Sequence, residues 1–541
     1  MAPETELRDA SPVYRSMGEA ALVFLLPGVI QGIALWALTD WLDEHDPDPA
    51  VVALLLAVLV APVAHFLTTT RATRLPAALY ALGLGVAVGG LYWIANAAFG
   101  VNSEAMMGQV LALCAFSSFL IAWISAPFFR TLVERKAGLM AYKDLFEFAW
   151  NLPVVGLVGG FFTVVFWIVL AVWAGLFQLI GIEFFSDLFF GNQFGIPLTT
   201  GAFAVATGIV RERESIVLAL RSVLFALLKV LAVAALVNGL DALWDNWSST
   251  AVMVAAMAVA VILSNAVAGV EGEPDHPLLR WSVRVQSLVL PVLGGFAIYG
   301  LWLRIDEYGL TVERVWAMIV VAIACAYALA YAACALLPKG WAMYRRANIG
   351  LALGLLVLAV LVQSPLVNAW DWAARDQVAR LQQGKVTAQD FDYAYLQYDL
   401  GTAGQRALAR IEADDSLPGH DTILEQVAAV RSAEDRWEYN QDRPVSDEDI
   451  AAVLASGAVP VYPTGATLSA DFLDEIRYNL TADQCLSEQR RCAILVTDMF
   501  NAPGPQYVFL DAAWSWMNVT LYVRRDDYWQ TYSALGWSFA D

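Results

Sequence analysis

Residues 348–366 of the chain are NIGLALGLLVLAVLVQSPL, and residues 367–385 are VNAWDWAARDQVARLQQGK. The first stretch has no charged side chain and is close to the roughly 20 residues that a helix needs to cross a bilayer. The second stretch carries several charges, with Val378 and Leu381 at the spacing of an amphipathic helix. The chain therefore changes near Ser364-Pro365 from a sequence suited to lipid to one suited to water.

The composition of the whole chain indicates a membrane protein. Of its 541 residues, 59% are hydrophobic and 16% are charged, and the mean hydropathy is +0.56. Soluble domains are nearer half apolar and a quarter charged, so we expect a large surface in contact with the lipid bilayer. The formal charge of -20 argues against a nucleic-acid partner, because phosphate contacts need clustered Lys and Arg.

Eleven apolar segments before residue 368 are candidates for transmembrane helices, which predicts a mainly α fold built on a polytopic helix bundle. They lie at roughly 18–41, 50–69, 75–99, 106–129, 152–180, 194–210, 222–244, 250–270, 285–304, 313–337 and 348–366. The sixth contains Pro197 close to its start, so a re-entrant or partly irregular segment is the alternative to a complete span there. An odd number of spans places the two ends of the chain on opposite sides of the membrane.

The Lys and Arg residues between these spans alternate in number, and this alternation predicts the orientation. With the N-terminus in the cytoplasm, only Arg304 and Arg314, both at helix ends, fall in the outer loops. The inner segments hold sixteen basic residues, namely Arg8, Arg15, Arg71, Arg74, Arg130, Arg135, Lys136, Lys143, Arg211, Arg213, Arg221, Arg280, Arg284, Lys339, Arg345 and Arg346. This is the positive-inside pattern. We therefore predict a multi-pass protein of the bacterial inner (cytoplasmic) membrane whose C-terminal domain is periplasmic.

The region after the last span is predicted to be a smaller α+β extracytoplasmic domain. Residues 368–541 hold 13 basic and 27 acidic residues and no segment long enough to cross a bilayer. Residues 368–440 show helical spacing, as in Phe391, Tyr395 and Tyr398. Four strand candidates follow, at 493–497, 507–511, 519–523 and 528–532. We therefore divide the chain into a transmembrane domain (1–367), a helical segment (368–440) and a small domain with an antiparallel sheet covered by helices (441–541).

Several separated blocks around the last two spans resemble a known family. In chain order they are Trp302-Leu303-Arg304-Ile305, Tyr308-Gly309-Leu310-Thr311, Trp341 to Gly350, Ser364-Pro365-Leu366, Asp376 to Leu381, Gly384-Lys385-Val386, Phe391 to Leu396 and Leu400 to Gly404. Together they closely resemble the bacterial membrane family called domain of unknown function 4153. The resemblance covers the membrane region and the first part of the soluble domain. It implies the same architecture and supplies no activity.

The sequence offers little that is typical of catalysis or metal binding. Five Cys and four His are too few and too scattered for a zinc or haem framework, and no hydrolase, nucleotide-binding or metalloprotease motif occurs in a supporting context. We therefore predict no catalytic residue, no metal site and no cofactor. Cys485 and Cys492 are the only Cys pair after residue 368, and in an oxidising compartment they are predicted to form a structural disulfide. In a reducing compartment both would stay thiols.

Polar residues inside the apolar segments are the better candidates for a functional site, because hydrocarbon penalises them. Lys229 lies about two turns into the seventh segment, and Asn238, Asp241 and Asp245 follow at three- and four-residue spacing on one helix face. This face is predicted to line a polar cavity. The alternative is that Lys229 extends towards the inner interface while the two Asp residues mark the outer boundary. Further candidates are Gln31, His65, Asn96, Gln178 and Asn265.

Two hypotheses for the function follow. The first is a non-enzymatic envelope scaffold or sensor, whose membrane bundle anchors an acidic outer domain that binds protein partners. The second is a transporter, or an enzyme acting on lipid-linked substrates, that uses the polar face of the seventh segment. The large outer domain without a catalytic cluster favours the first hypothesis.

The predicted orientation is testable with reporter fusions. Alkaline phosphatase, which folds only outside the cytoplasm, should be active when fused after Asp541 and inactive when fused after Arg346, which lies in a predicted inner loop. Activity measured in whole cells gives the result. The opposite pattern, or a cytosolic reporter that works after Asp541, would overturn the orientation.

Overall fold

A computed structural model describes residues 21–537 apart from 46, 71, 102, 139–140, 213, 246–249, 271–275, 338–339, 434–435, 437–438, 440–449, 452–453, 455–456, 458, 477–489, 499–503, 514–515 and 526–527. The described residues form two compact units, one ending at Val427 and one beginning at Ala428. The first unit is entirely helical, and the second contains the one sheet among the described residues.

Twelve helices make up the first unit as far as the last span. They are α1 Leu26–Glu44 (preceded by a π-helical turn, Ala21–Leu25), α2 Pro49–Thr68, α3 Arg74–Phe99, α4 Glu104–Val133, α5 Tyr142–Gln178, α6 Phe184–Phe190, α7 Asn192–Glu212, α8 Glu214–Asp245, α9 Thr250–Ala268, α10 Pro277–Tyr308, α11 Val312–Leu336 and α12 Gly340–Leu361. In α8 the side chains of residues 217–232 are described.

Ten of these helices are, within their described residues, long and apolar enough to cross a membrane. The remaining long helix is α8, whose 32 residues occupy the place of the predicted seventh span. The polytopic bundle of about eleven spans is therefore confirmed. The sixth apolar segment is one continuous helix, α7, which begins after the short α6 ends at Phe190, and Pro197 falls inside its first turns. Its length and composition favour a complete span, and the re-entrant alternative stays open.

Small residues line the helix contacts, while large apolar residues face outwards. On α3, Ala77, Ala81 and Gly85 are buried, and Gly85 packs against Ala57 and Ala61 of α2. The opposite face carries Leu75, Leu79, Leu82 and Val86, each at least 60% exposed. This is the arrangement expected in lipid, where the surroundings are as apolar as Leu and close backbone approach supplies the packing energy.

Two polar side chains, the buried Gln31 and the half-buried Arg211, bond backbone carbonyls of α2 that have no partner within the helix. Pro62 has no N–H for the carbonyl of Val58, and Gln31 Nε2 of α1 donates to that carbonyl (3.1 Å) and to the carbonyl of Leu59 (3.2 Å). At the end of the same helix, Arg211 of α7 donates to the carbonyls of Phe66 and Thr69. The sequence candidate Gln31 therefore has a structural role, since such carbonyls are costly when unsatisfied in lipid.

The helices that follow the bundle belong to the same compact unit. They are α13 Ala369–Gln382, a π-helical turn at Tyr395–Asp399, α14 Gly401–Glu412 and α15 His420–Ser432, which runs past the end of the unit. Asn368 begins α13 by accepting a hydrogen bond from the backbone N–H of Asp371 (3.0 Å). The helical character predicted for this segment is confirmed, with Val378, Leu381 and Leu408 buried.

The second unit is built on a five-stranded sheet in the order β1 to β5. Its strands are β1 Val461–Tyr462, β2 Arg490–Thr497, β3 Gln506–Ala513, β4 Trp516–Arg525 and β5 Tyr528–Trp537, and the short α16 (Ala470–Glu475) lies between β1 and β2. All four strand candidates are confirmed. The expectation of a purely antiparallel sheet is wrong, because β1 pairs with β2 in parallel, while the other pairs are antiparallel.

The core of the second unit lies between α16 and one face of the sheet. The Phe472 ring stacks on the Tyr507 ring with the ring centres 3.8 Å apart and the planes 11° apart. Trp529 packs edge-on against both rings, and its Nε1 donates to the carbonyl of Asp471 (3.2 Å). Aromatic packing of this kind fixes α16 on the sheet.

The close contact between α1 and α7 gives a stability prediction. A Cβ atom at Gly32 would collide with the backbone of Pro197 and the hydroxyl of Thr200, so Gly32→Val should destabilise the bundle by about 1–3 kcal/mol. The readout is the thermal denaturation midpoint in detergent. The matched control is Gly83→Val, because Gly83 of α3 is exposed and has open space at its Cβ. Equal midpoints for the two variants would contradict the described packing.

Candidate functional site

The predicted polar face of α8 is only partly described. Lys229 is half-buried in α8, about two turns beyond Arg221, which donates to Asn151 Oδ1 of α5 (2.9 Å). The side chains of Asn238, Asp241 and Asp245 lie outside the described residues. A shared polar cavity formed by these four residues therefore stays a prediction.

Another group of polar side chains meets inside the bundle. Asn265 of α9 donates through Nδ2 to the hydroxyl of Tyr331 on α11 (2.7 Å), which in turn donates to Asn348 Oδ1 on α12 (2.7 Å). Asn348 Nδ2 donates to Asn265 Oδ1 (2.7 Å) and to the hydroxyl of Tyr142 on α5 (3.3 Å). These four residues are called the Asn–Tyr cluster below. Four helices are thus joined by one hydrogen-bonded ring and its Tyr142 branch.

A cavity of about 360 Å³ opens next to the Asn–Tyr cluster. Tyr142, Asn265 and Asn348 line one part of it, and the rest of the wall is apolar. The apolar lining residues are Leu120, Trp123, Ile124, Pro127, Phe128, Leu145, Phe146, Ala149, Trp150, Val261, Ile349, Ala352 and Leu355, with the ring of Tyr327. Its size lies within the roughly 300–1,000 Å³ of small-molecule sites, and a few convergent polar groups in an apolar wall are typical of such sites.

The Asn–Tyr cluster lies near one end of the bundle. Tyr142 is the first residue of α5, and Asn348 lies about two turns after the start of α12 at Gly340. Arg345 lies about one turn before Asn348 on α12, and Lys143 follows Tyr142 on α5. The charge pattern of the sequence predicts that this end faces the cytoplasm.

The opposite end of the bundle holds a second arrangement of polar contacts, which joins α13 to the turn between α10 and α11. Arg380 Nη1 donates to the carbonyl of Asp306 (3.0 Å), and its Nη2 donates to the carbonyl of Glu307 (2.7 Å). Asp376 Oδ2 accepts from the backbone N–H of Leu310 (2.7 Å). These contacts are called the α13 clamp. They satisfy the carbonyls at the end of α10 with a positive charge, which the helix dipole also favours.

Gly309 allows Arg380 to reach the end of α10. Its φ of 77° is in the region that favours glycine, and a Cβ there would lie 2.5 Å from Arg380 Cδ. After this turn, the hydroxyl of Tyr395 accepts from the backbone N–H of Val312 (3.0 Å). Burial raises the pKa of Tyr395 well above its ordinary value, so its phenol stays neutral and holds this bond throughout the physiological pH range.

The turn between α3 and α4 contacts α13 and α14, the helices that follow the last span. Asn368 Nδ2 donates to the carbonyl of Ala98 (3.3 Å), and the backbone N–H of Thr402 donates to the carbonyl of Gly100 (3.2 Å). The fully buried Trp370 packs on Phe99, with the ring centres 4.7 Å apart. The two turns and α13 therefore lie on one side of the bundle.

This arrangement tests the number of spans. Gly100 follows the third span, Gly309 the ninth and Asn368 the eleventh. Since all three numbers are odd, these positions must share one side of the membrane if every long helix crosses it, and the contacts place them together. One span fewer between any two of them would separate the contacting groups by the thickness of the bilayer.

The fold and these sites define a multi-pass membrane protein with a helical layer docked on one end of its bundle. A family model described as a domain of unknown function (DUF4153) matches residues 32–411, which is most of the chain. The chain belongs to this family. No curated protein and no solved structure matches it. The matched range ends inside α14, so it includes the α13 clamp and the Asn–Tyr cluster and leaves the sheet outside.

Of the Asn–Tyr cluster, only Asn265 stands among the intramembrane polar residues that the sequence indicates. Tyr142, Tyr331 and Asn348 do not. Asn348 stands inside the family block from Trp341 to Gly350, and that was the available signal. The two Tyr residues gave none, because a single Tyr in an apolar helix is more often packing than binding. The family blocks that contain Gly309, Asp376 and Arg380 supply the residues of the α13 clamp.

Four of the five Cys lie in the described part of the chain, three in the helical bundle and one in the sheet. Cys114, Cys325 and Cys334 are free thiols inside the bundle, and Cys114 and Cys334 are buried there. Cys492 is buried on β2, 4% exposed, and Cys485 lies outside the described residues. The disulfide between the last two therefore stays a prediction.

The α13 clamp can be tested with a matched pair of arginines. Arg380→Met keeps the apolar part of the side chain but leaves two backbone carbonyls without their charged donor, so the docking of α13 should weaken by about 2 kcal/mol. Hydrogen exchange measured by mass spectrometry should show faster exchange in 369–382 and 306–312. Arg375→Met is the control, since Arg375 is exposed and pairs only with Asp371 on the surface. Equal exchange in the two variants would contradict the clamp.

Proposed function

We propose that this protein is a membrane-anchored scaffold or sensor of the bacterial envelope. Its bundle lies in the inner membrane with the N-terminus in the cytoplasm, and residues 428–541 bind protein partners in the periplasm. The concentration of Lys and Arg at the end of the bundle opposite the α13 clamp supports this orientation. A disulfide between Cys485 and Cys492 would form in that compartment.

The observation that carries the proposal is a row of apolar side chains on the sheet face opposite the core. Tyr462, Leu495, Val508, Leu521 and Tyr532 are register partners across all five strands, so they share this face. Tyr462, Leu495 and Tyr532 are 52%, 39% and 47% exposed. Val508, in the middle of the row, is buried at 7% exposure, so the exposed apolar side chains lie at the two ends of the row. Exposed apolar side chains that share one face of a sheet are typical of a protein-binding surface.

The negative charge of residues 368–541 indicates that the partner's surface is positively charged. Residues 368–541 have twice as many acidic as basic residues, and long-range attraction speeds the association of oppositely charged surfaces. The partner is therefore an envelope protein that presents an apolar patch flanked by Lys and Arg. The α13 clamp supports the anchoring part of the proposal, because it fixes the first outer helices rigidly to the bundle.

Site-specific photo-crosslinking in living cells tests this function. A photoreactive amino acid at Leu495 or at Tyr532 should give one and the same heavier adduct, identified by mass spectrometry as an envelope protein. The control position is Thr531, which is exposed on the same strand but points to the other face. The yield should fall by tenfold or more in high salt if the acidic charge attracts the partner.

Two outcomes would contradict the proposed function. One is the absence of an adduct from both row positions when Thr531 also gives none. The other is an equal adduct from Thr531, which would mean that contact does not depend on the apolar face.

A further inference from the structure

The cavity beside the Asn–Tyr cluster has two chemically different parts. Its long wall is made of aromatic and aliphatic side chains, among them Leu120, Phe128, Phe146 and Leu355. Three polar residues of the cluster occupy one part of the lining. The walls belong to α4, α5, α9, α11 and α12, which are all membrane spans. An occupant of this cavity must therefore be mostly apolar and carry one polar group.

The hydrogen bonds of the Asn–Tyr cluster show which of its polar groups is left to bond an occupant of the cavity. Both amide protons of Asn348 are used, by Asn265 Oδ1 and by the Tyr142 hydroxyl. The Tyr331 proton is donated to Asn348. The Tyr142 oxygen accepts from Asn348, and among the described residues its own proton has no acceptor. Because Tyr142 lines the cavity, this O–H is a donor presented to the occupant.

The charge near Tyr142 favours a negatively charged acceptor. Arg345 lies about one turn before Asn348, which bonds the Tyr142 hydroxyl, and Lys143 is the next residue along α5. A positive charge beside a hydroxyl donor in the interfacial zone is the usual environment of a lipid phosphate. The apolar wall then contacts the hydrocarbon chain of the same molecule. In this position the chain lies between the helices while the headgroup stays at the membrane interface.

We infer that this cavity is a binding site for a phosphate-bearing membrane amphiphile. One hydrocarbon chain lies along the wall formed by α4, α5 and α12, and a phosphate oxygen accepts the hydrogen bond of Tyr142. The Asn–Tyr cluster holds Tyr142 in this orientation through Asn348. The site is independent of the apolar row on the sheet and does not use the α8 residues.

Photo-labelling in lipid nanodiscs tests the site. The probe is phosphatidylglycerol with a diazirine in one acyl chain, and labelled peptides are mapped by mass spectrometry. In the unmodified protein, labels should fall on the cavity wall in 120–128, 145–150 and 349–355. Ala352→Phe fills the cavity and should reduce this labelling at least tenfold. Gly354→Phe is the control on the same helix, because its Cβ position faces open space, and it should leave the labelling unchanged.

The headgroup part is tested with a second pair of variants and a competitor. Tyr142→Phe removes one hydroxyl and should weaken the binding of the probe about tenfold or more, the loss expected for one hydrogen bond to a charged group. Tyr80→Phe is its control, since the Tyr80 hydroxyl bonds Ser125 away from the cavity and should not matter. Unlabelled phosphatidylglycerol should compete with the probe, whereas diacylglycerol of the same chains should compete poorly.

The results that would overturn the inference are specific. Labelling of the wall that is unchanged by Ala352→Phe in a monodisperse, folded sample would mean that the chain does not enter the cavity. Equal competition by diacylglycerol and phosphatidylglycerol, or an unchanged affinity for Tyr142→Phe, would mean that no phosphate is recognised there.

Discussion

In hydrocarbon, a backbone N–H or C=O without a hydrogen-bond partner costs several kcal/mol, and this constraint governs the whole molecule. It explains why the apolar segments are helices in the part of the chain that the structure describes, and why the sheet found there follows them. It also explains the exceptions inside the bundle. Where Pro62 leaves a carbonyl of α2 without its N–H, Gln31 supplies a donor, and where α2 ends, Arg211 does. The first role to consider for a polar residue in a span is therefore a hydrogen bond to a backbone group that has no partner within its own helix.

The contacts at the α13 end of the bundle give the family blocks a physical meaning. The block at Tyr308 to Thr311 and the block at Asp376 to Leu381 are separated by more than sixty residues and two spans. In the structure they touch through Arg380, Asp376 and the glycine turn at Gly309. Two of the blocks by which this chain resembles the family are therefore in direct contact.

The Asn–Tyr cluster has a different character from the α13 clamp. The clamp lies at the end of the bundle and bonds side chains to backbone, which serves stability. The Asn–Tyr cluster bonds side chains from four helices to one another inside the spans, next to the cavity. Polar residues are expensive in that place, and their use beside a cavity points to recognition more than to packing.

The sequence alone determined the class of protein, the approximate number and position of the apolar helices, the helical segment after them and the four long strands. These depend on the apolar period and length of local segments, which a single chain displays directly. Helix α5 begins at Tyr142, ten residues before the apolar segment itself, because helices continue into the polar interface. Only the tertiary structure decided that Tyr142, Asn265, Tyr331 and Asn348 meet. Their contacts depend on how four helices are rotated against one another, and periodicity within one helix carries no information about its neighbours.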